Sequence, residues 1–223
     1  MNGLTIALTF CDRPVMPEWA VAFACQSYPS GISREVIVAK NLGLSQDWLE
    51  KVVTSARKKN SKYIWLLHDD VEPPFFATRK LIYDLEQNDQ VMVAAGIYCL
   101  KGLPTEPFVY RGDGEGAFWH WKVGDVFECD AIGDGCMMIK TEIFDKIEKP
   151  WFHFEKSRMQ GNDTIGDVGE DFFFCRKVRA AGFKILADGE VVCPHWDVEN
   201  KCAYGLPRDS YPLAKEQELV ESE

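Results

Sequence analysis

The sequence predicts an α/β protein with a mostly parallel central sheet and helices packed on both of its faces. Two observations carry that expectation. Over the first hundred residues, short apolar and β-branched runs alternate with stretches whose apolar residues recur at helical spacing. The runs are continuously apolar, as strands covered on both faces must be. A chain of 223 residues with 46% hydrophobic content also has enough apolar side chain to build one large core.

The elements follow in order. TIALTF (5–10) reads as the first strand. PEWAVAFACQSY (17–28) reads as a helix, with Pro17 suited to its first position. REVIVAK (34–40) is the second strand. SQDWLEKVVTSARKK follows, with Ser45 as N-cap and Trp48, Leu49, Val52, Val53 and Ala56 on one stripe. KYIWLL (62–67), a helix through RKLIYDLEQ (79–87), and VMVAAGIY (91–98) complete the regular part. From residue 101 the chain turns glycine- and aromatic-rich and loses helical period until the strand CMMIK (136–140) and a short helix begun by Thr141. Pro150 to Gly169 reads as a loop, and its 155–168 part is a candidate lid. EDFFFCRKVRAAG then forms a helix stopped by Gly182, and FKILAD and EVVCPH are the last strands. The expected organisation is a single domain over 1–205 and an acidic tail over 206–223.

Charge and cysteine usage narrow the function. A net charge of −10 argues against bulk nucleic-acid or anionic-lipid binding. No run reaches the roughly 18 apolar residues of a membrane span. MNGLTIALTF lacks a cationic start and reads as a strand, not a secretory signal. The eight cysteines form no CxxC pair and mostly sit in apolar runs. They read as small core residues in a reducing compartment, hence a cytoplasmic address.

Three segments carry chemistry. YIWLLHDDVEPP (63–74) drives an apolar strand into His68, Asp69 and Asp70. Ligands of open α/β sheets bind beyond the carboxyl ends of the strands, and carboxylates there suit a divalent cation. If the chain stays extended, His68 and Asp70 share a face and Asp69 points away. Equally, Pro73 and Pro74 fit a plain surface turn. GEDFFFCRKVRAAGFKI (169–185) opens a helix with Glu170 and Asp171. Those acids complement a helix dipole or serve as a rigidly mounted general base. EVVCPHWD (190–197) ends an apolar strand on His195, which is either a structural histidine or a ligand.

Together these segments resemble family 2-type glycosyltransferases of the GT-A fold, over roughly residues 4–200. LTFCDR (8–13) matches the family's first strand and turn. LLHDDVEPP matches its DxD element, with His68 for the first Asp, and GEDFFFCRKVRAAGFKI its ED motif. GDGCMMIKTEIFDKI (133–147) is similar to the segment in which a small-residue turn precedes a core strand. The resemblance implies a Rossmann-like sheet, with a nucleotide-sugar half over 1–100 and an irregular acceptor and catalytic half over 101–205.

It also implies roles. Asp70 and His195 would ligate Mn²⁺ or Mg²⁺. His68, Asp69, Thr9, Arg13 and Asn41 would contact a UDP- or GDP-sugar donor. Asp171 would be the general base of an inverting displacement, positioned with Glu170. Trp119, Trp121, Asp134 and Trp151 would face a carbohydrate or other hydroxyl acceptor, although the tryptophans equally suit a core beneath a long loop. Two departures stand out: VAKNLGLSQ lacks the family's acidic residues after the second strand, and His68 removes one negative charge from the metal site. Alternatives are a non-catalytic glycan- or nucleotide-binding module, a sugar-1-phosphate nucleotidyltransferase and a metal-dependent phosphoesterase. The nucleotidyltransferase would need a glycine-rich basic signature that LTFCDRPVMPEW lacks, and the phosphoesterase more ligands than four histidines allow.

Overall fold

A computed structural model describes residues 3–11, 13–40, 46–112, 116–156, 158–160, 163–165 and 168–205. Strands are β1 (Gly3–Phe10), β2 (Ser33–Lys40), β3 (Tyr63–His68), β4 (Val91–Ile97), β5 (Val109–Tyr110), β6 (Val126–Cys129), β7 (Ala131–Ile132), β8 (Cys136–Lys140), β9 (Arg158–Gln160), β10 (Asp163–Ile165), β11 (Lys184–Val192), β12 (His195–Asp197) and β13 (Cys202–Tyr204). Helices are α1 (Pro17–Ala24), α2 (Gln46–Lys58), α3 (Ala77–Glu86) and α4 (Glu170–Ala180), with a 3₁₀ turn at Thr141–Asp145.

Seven strands form the main sheet in the order β2-β1-β3-β8-β4-β11-β6. β2, β1, β3, β4 and β11 run one way, while β8 and the edge strand β6 run the other. β8 is wedged between β3 and β4, a placement that its apolar run CMMIK does not announce.

Strand alternation distributes the core over both faces. Ile64 and Leu66 join α2, the 3₁₀ turn and α4 around Val52, Phe144, Phe152, Phe174 and Val178. Trp65 and Leu67 point the other way, to Trp19 of α1 and to Leu81 and Leu85 of α3. Each fully buried aromatic or branched side chain contributes about 1.5–3 kcal/mol of transfer free energy, which is why this strand tolerates no polar residue before His68.

Three expectations change. α1 ends at Ala24, four residues early, because the chain is captured by the segment after β3. Gln26 Nε2 donates to the Pro74 carbonyl at 2.8 Å and Ser27 N to the Phe75 carbonyl at 2.7 Å. FKILAD and most of EVVCPH form one strand, whose pairing with β4 shifts register between Asp188 and Val192; a Cβ on Gly189 within that irregularity would stand 2.9 Å from the Lys122 carbonyl oxygen. His195 then opens a separate hairpin, β12–β13. Finally, the 150–169 loop holds an antiparallel β9–β10 pair, closed at its base by a bridge between Glu155 and Val168.

α4 ends as its sequence predicts, with Gly182 at φ +84° and the Phe183 amide donating to the Val178 carbonyl. Ser45, Asn41 and the 206–223 tail lie outside the described residues. No helix among the described residues is long and apolar enough to cross a membrane. All eight cysteines are free, five of them buried.

Candidate functional site

The strand ends are tied together before any side chain chemistry begins. At the carboxyl end of the sheet Thr9 pairs with His68 in register, the His68 amide donates to Gly135 O at 3.0 Å, and the Asp69 amide donates to Thr9 O at 3.1 Å. The Trp19 indole N–H donates to the His68 carbonyl at 2.7 Å. Extension stops there, because the Val71 amide closes a turn onto the His68 carbonyl. The alternating arrangement expected for His68, Asp69 and Asp70 therefore does not form, and the two aspartates are both brought to one guanidinium.

Asp69 and Asp70 are nearly sealed, at 2% and 6% exposure. Asp69 accepts the Cys11 amide at 2.8 Å and Arg13 Nη2 at 3.1 Å. Asp70 Oδ2 accepts Arg13 Nη2 at 2.6 Å and Lys101 Nζ at 2.5 Å, and faces His195 Nε2 at 3.3 Å. Burial alone would raise the Asp70 pKa, but His195, Lys101 and His68 overcome it and hold the carboxyl far below the usual range.

His195 reaches this point because its hairpin is bonded to the turn. The Trp196 amide donates to Asp70 O at 2.7 Å, the Trp196 indole to Glu72 at 2.7 Å, and the Glu72 amide to Pro194 O at 2.9 Å. His195 Nδ1 lies 2.7 Å from the Cys99 carbonyl, which can only accept, so Nδ1 carries the proton and Nε2 is turned to Asp70.

Beside them, His68 Nε2 sits 3.2 Å from Asp134 Oδ1, a charge contact without hydrogen-bond alignment. Burial lowers the His68 pKa, yet Asp134 first, then Asp70 and Asp171, raise it to about 9. Asp134 is 1% exposed, and neither of its oxygens has a hydrogen-bond partner among the described residues; Glu170 Oε1 is in the same condition. Unpartnered buried oxygens of this kind mark a place where hydroxyl donors are missing. The flanking glycines are compulsory: a Cβ on Gly133 would fall 2.1 Å from the Tyr98 hydroxyl, and one on Gly135 2.8 Å from Val71.

Asp171 stands at the start of α4, with Oδ1 accepting the Phe172 amide at 2.8 Å. Burial, then Asp134 and Glu170, push its pKa up to about 7, against the opposing charge of His68. Glu170 is raised as well, by burial first. Phe172 closes the wall against Phe108 and Tyr110, at ring separations of 5.1 and 4.9 Å.

The sequence-predicted residues thus separate into two groups. Thr9, Arg13, His68, Asp69, Asp70, Asp134, Glu170, Asp171 and His195 are linked by backbone pairing, hydrogen bonds and charge interactions at the carboxyl end of the sheet. Trp119 is 43% exposed, and Trp121 is half-buried beside Gly189 near the sheet edge, its indole donating to the Phe118 carbonyl. Trp151 does not join them: it is 3% exposed and packs edge-on against Phe144 in the core. Lys101 and Tyr98 escaped the sequence reading, and their one signal is position, directly after the carboxyl end of β4.

The described donors do not fit a divalent ion as they stand. His195 Nδ1 is held by the Cys99 carbonyl, and the nitrogen left for a ligand role, Nε2, already faces Asp70 Oδ2 at 3.3 Å. That oxygen on Asp70 already carries two side-chain cations, and no group of three or more candidate ligands assembles among the described residues.

No protein-family model matches the sequence, and no curated protein matches it. Solved structures do. A197 from STIV superposes with a TM-score of 0.61 at 19% identity, over 93% of this chain and 95% of that one. GalNAc-T7 with UDP, GalNAc and Mn²⁺ gives a TM-score of 0.54 at 13% identity, over 87% of this chain and 44% of that one. At such identities the likeness establishes the fold: a mixed α/β architecture of the GT-A type.

Proposed function

We propose that the chain is a glycosyltransferase that moves a sugar from a nucleoside-diphosphate donor, UDP- or GDP-linked, to an acceptor hydroxyl. One observation supports this above the rest. Asp171, a buried carboxylate with its pKa near 7, shares a charge field with His68, Asp134 and Asp70 at the carboxyl end of the sheet. The fold match includes a protein solved with UDP, GalNAc and Mn²⁺.

In this reading Asp171 takes the acceptor's hydroxyl proton as the oxygen's electron pair forms a bond to the anomeric carbon. The pair of the breaking C–O bond leaves on the diphosphate, and the sugar inverts. A base tuned near neutrality combines adequate ionisation with adequate driving force for proton transfer. The orphaned oxygens of Asp134 and Glu170 would accept sugar hydroxyls, and Trp119 offers an exposed aromatic face for the acceptor. Eight free cysteines fit a reducing compartment such as the cytoplasm.

The test is a thermal-shift screen of UDP- and GDP-sugars, followed by product analysis with simple sugar acceptors. Stabilisation by a nucleotide sugar together with glycoside formation supports the proposal. A protein that no nucleotide sugar stabilises is not this enzyme.

A further inference from the structure

We propose that Arg13 and Lys101, side chains of the protein itself, receive the diphosphate of the donor without a resident divalent ion. The inference rests on the nucleotide-sugar reading above and specifies what meets the leaving group's charge.

Charge balance is the first argument. Asp69 and Asp70 bring two negative charges to the strand end, and Arg13 and Lys101 bring two positive ones within 2.5–3.1 Å. A divalent ion arriving at Asp70 Oδ2 would have to displace both the guanidinium and the ammonium donors.

Layering is the second. The side chains of Asp69 and Asp70 are 2% and 9% exposed, whereas those of Arg13 and Lys101 are 25% and 27% exposed. The carboxylates lie behind and the cations in front, so an anion entering from solvent meets the cations first. The carboxylates then act as a backing that holds two flexible side chains in place.

Unused donor capacity is the third. An ammonium has three N–H bonds, and Lys101 directs one of them at Asp70. Arg13 Nε is buried and has no hydrogen-bond partner among the described residues. An orphaned guanidinium N–H is costly unless an acceptor arrives, and phosphate oxygens are the acceptors it suits.

Lys101 is also pre-positioned. It begins a short loop pinned by the Leu100 amide on Glu106 O, by Thr105 Oγ1 on Leu100 O, both at 2.8 Å, and by a bridge between Cys99 and Pro107. Donors fixed before the reaction stabilise developing charge without paying for reorganisation.

The experiment is calorimetric titration of the full chain with UDP and with GDP, in EDTA and again in Mn²⁺, for wild type, Lys101→Met and Lys101→Arg. A nucleoside diphosphate should bind in EDTA with an affinity that Mn²⁺ changes by less than about twofold. Lys101→Met should weaken it roughly ten- to a hundredfold, the loss expected for a charge-assisted hydrogen bond, and Lys101→Arg should restore most of it. Thermal unfolding confirms that each variant is folded. Binding that appears only with Mn²⁺ overturns this inference and leaves the glycosyltransferase reading standing. Binding in EDTA that Lys101→Met leaves unchanged also overturns it. No binding under either condition removes both.

Discussion

Gly169 and Asp171 are mutually dependent: a Cβ on the glycine would lie 2.6 Å from the aspartate's Oδ1. Because Gly169 has an ordinary negative φ of −64°, the requirement is space and not backbone conformation. The obstructed atom is the end of a side chain, so the fold can yield where the chemistry cannot. Gly169→Ala should therefore unfold within a few degrees of wild type while transfer falls by about a hundredfold, the typical cost of displacing a reacting group by an ångström. Activity and thermal unfolding measured on one preparation check the split, and wild-type turnover would show that Asp171 is not the base.

Asp171 itself should set the acid limb of the pH–rate profile. As the proposed base it acts in its ionised form, so activity should rise as pH increases through about 7. Asp171→Asn should retain nucleotide binding and lose roughly 10²–10⁴-fold in turnover. The stability sign is opposite. A carboxyl whose pKa is raised on folding favours the folded state when protonated, and that contribution is lost as pH rises from the unfolded value through about 7. The asparagine variant should therefore be more stable than wild type at pH 8, and the advantage should shrink at pH 5. Calorimetric unfolding at the two pH values measures it.

His68 should remain protonated well above neutrality. NMR titration of its ring should give a value near 9, and Asp134→Asn should bring it down, because burial then acts with its main opposing charge removed. With the folded pKa raised, the pair's stabilisation is complete below the unfolded value of about 6.5 and disappears as pH passes about 9. A ring that titrates near 6.5 in wild type would mean that His68 and Asp134 do not form this ion pair at neutral pH.

The aromatic residues should divide by burial. Trp151→Ala should cost about 3–5 kcal/mol of stability, as deletion of a core tryptophan does. Trp119→Ala should leave stability within about 0.5 kcal/mol and raise the acceptor KM. Denaturant unfolding and acceptor saturation curves distinguish the two, and a destabilised Trp119→Ala would make that ring core as well.

Much of this arrangement was legible in the sequence, and the failures have identifiable causes. Continuous apolar runs such as YIWLL imply burial on both faces, and alternate residues do divide between the two cores. Glycine after an amphipathic stretch placed the end of α4 correctly. Trp119 and Trp151 sit in similar aromatic clusters, and only tertiary packing tells an exposed ring from a core one. The extended geometry expected at Asp69 and Asp70 gave way to a turn stabilised by a hydrogen bond that periodicity does not encode. Lys101 was invisible because a lysine after a strand is common, and its meaning lies in a carboxylate 31 positions earlier.

The antiparallel strand β8 has a consequence for how the molecule comes into being. β3 and β4 have complete hydrogen-bonding partners only when Cys136–Lys140 slides between them. During synthesis both strands emerge from the ribosome well before their shared neighbour; β3 waits with one open edge, and β4 with two, because its other partner β11 comes later still. The first hundred residues are thus not a self-sufficient folding unit. Severed near residue 100, they would leave sticky strands with open edges, and self-association, not a soluble fragment, is the outcome that geometry favours.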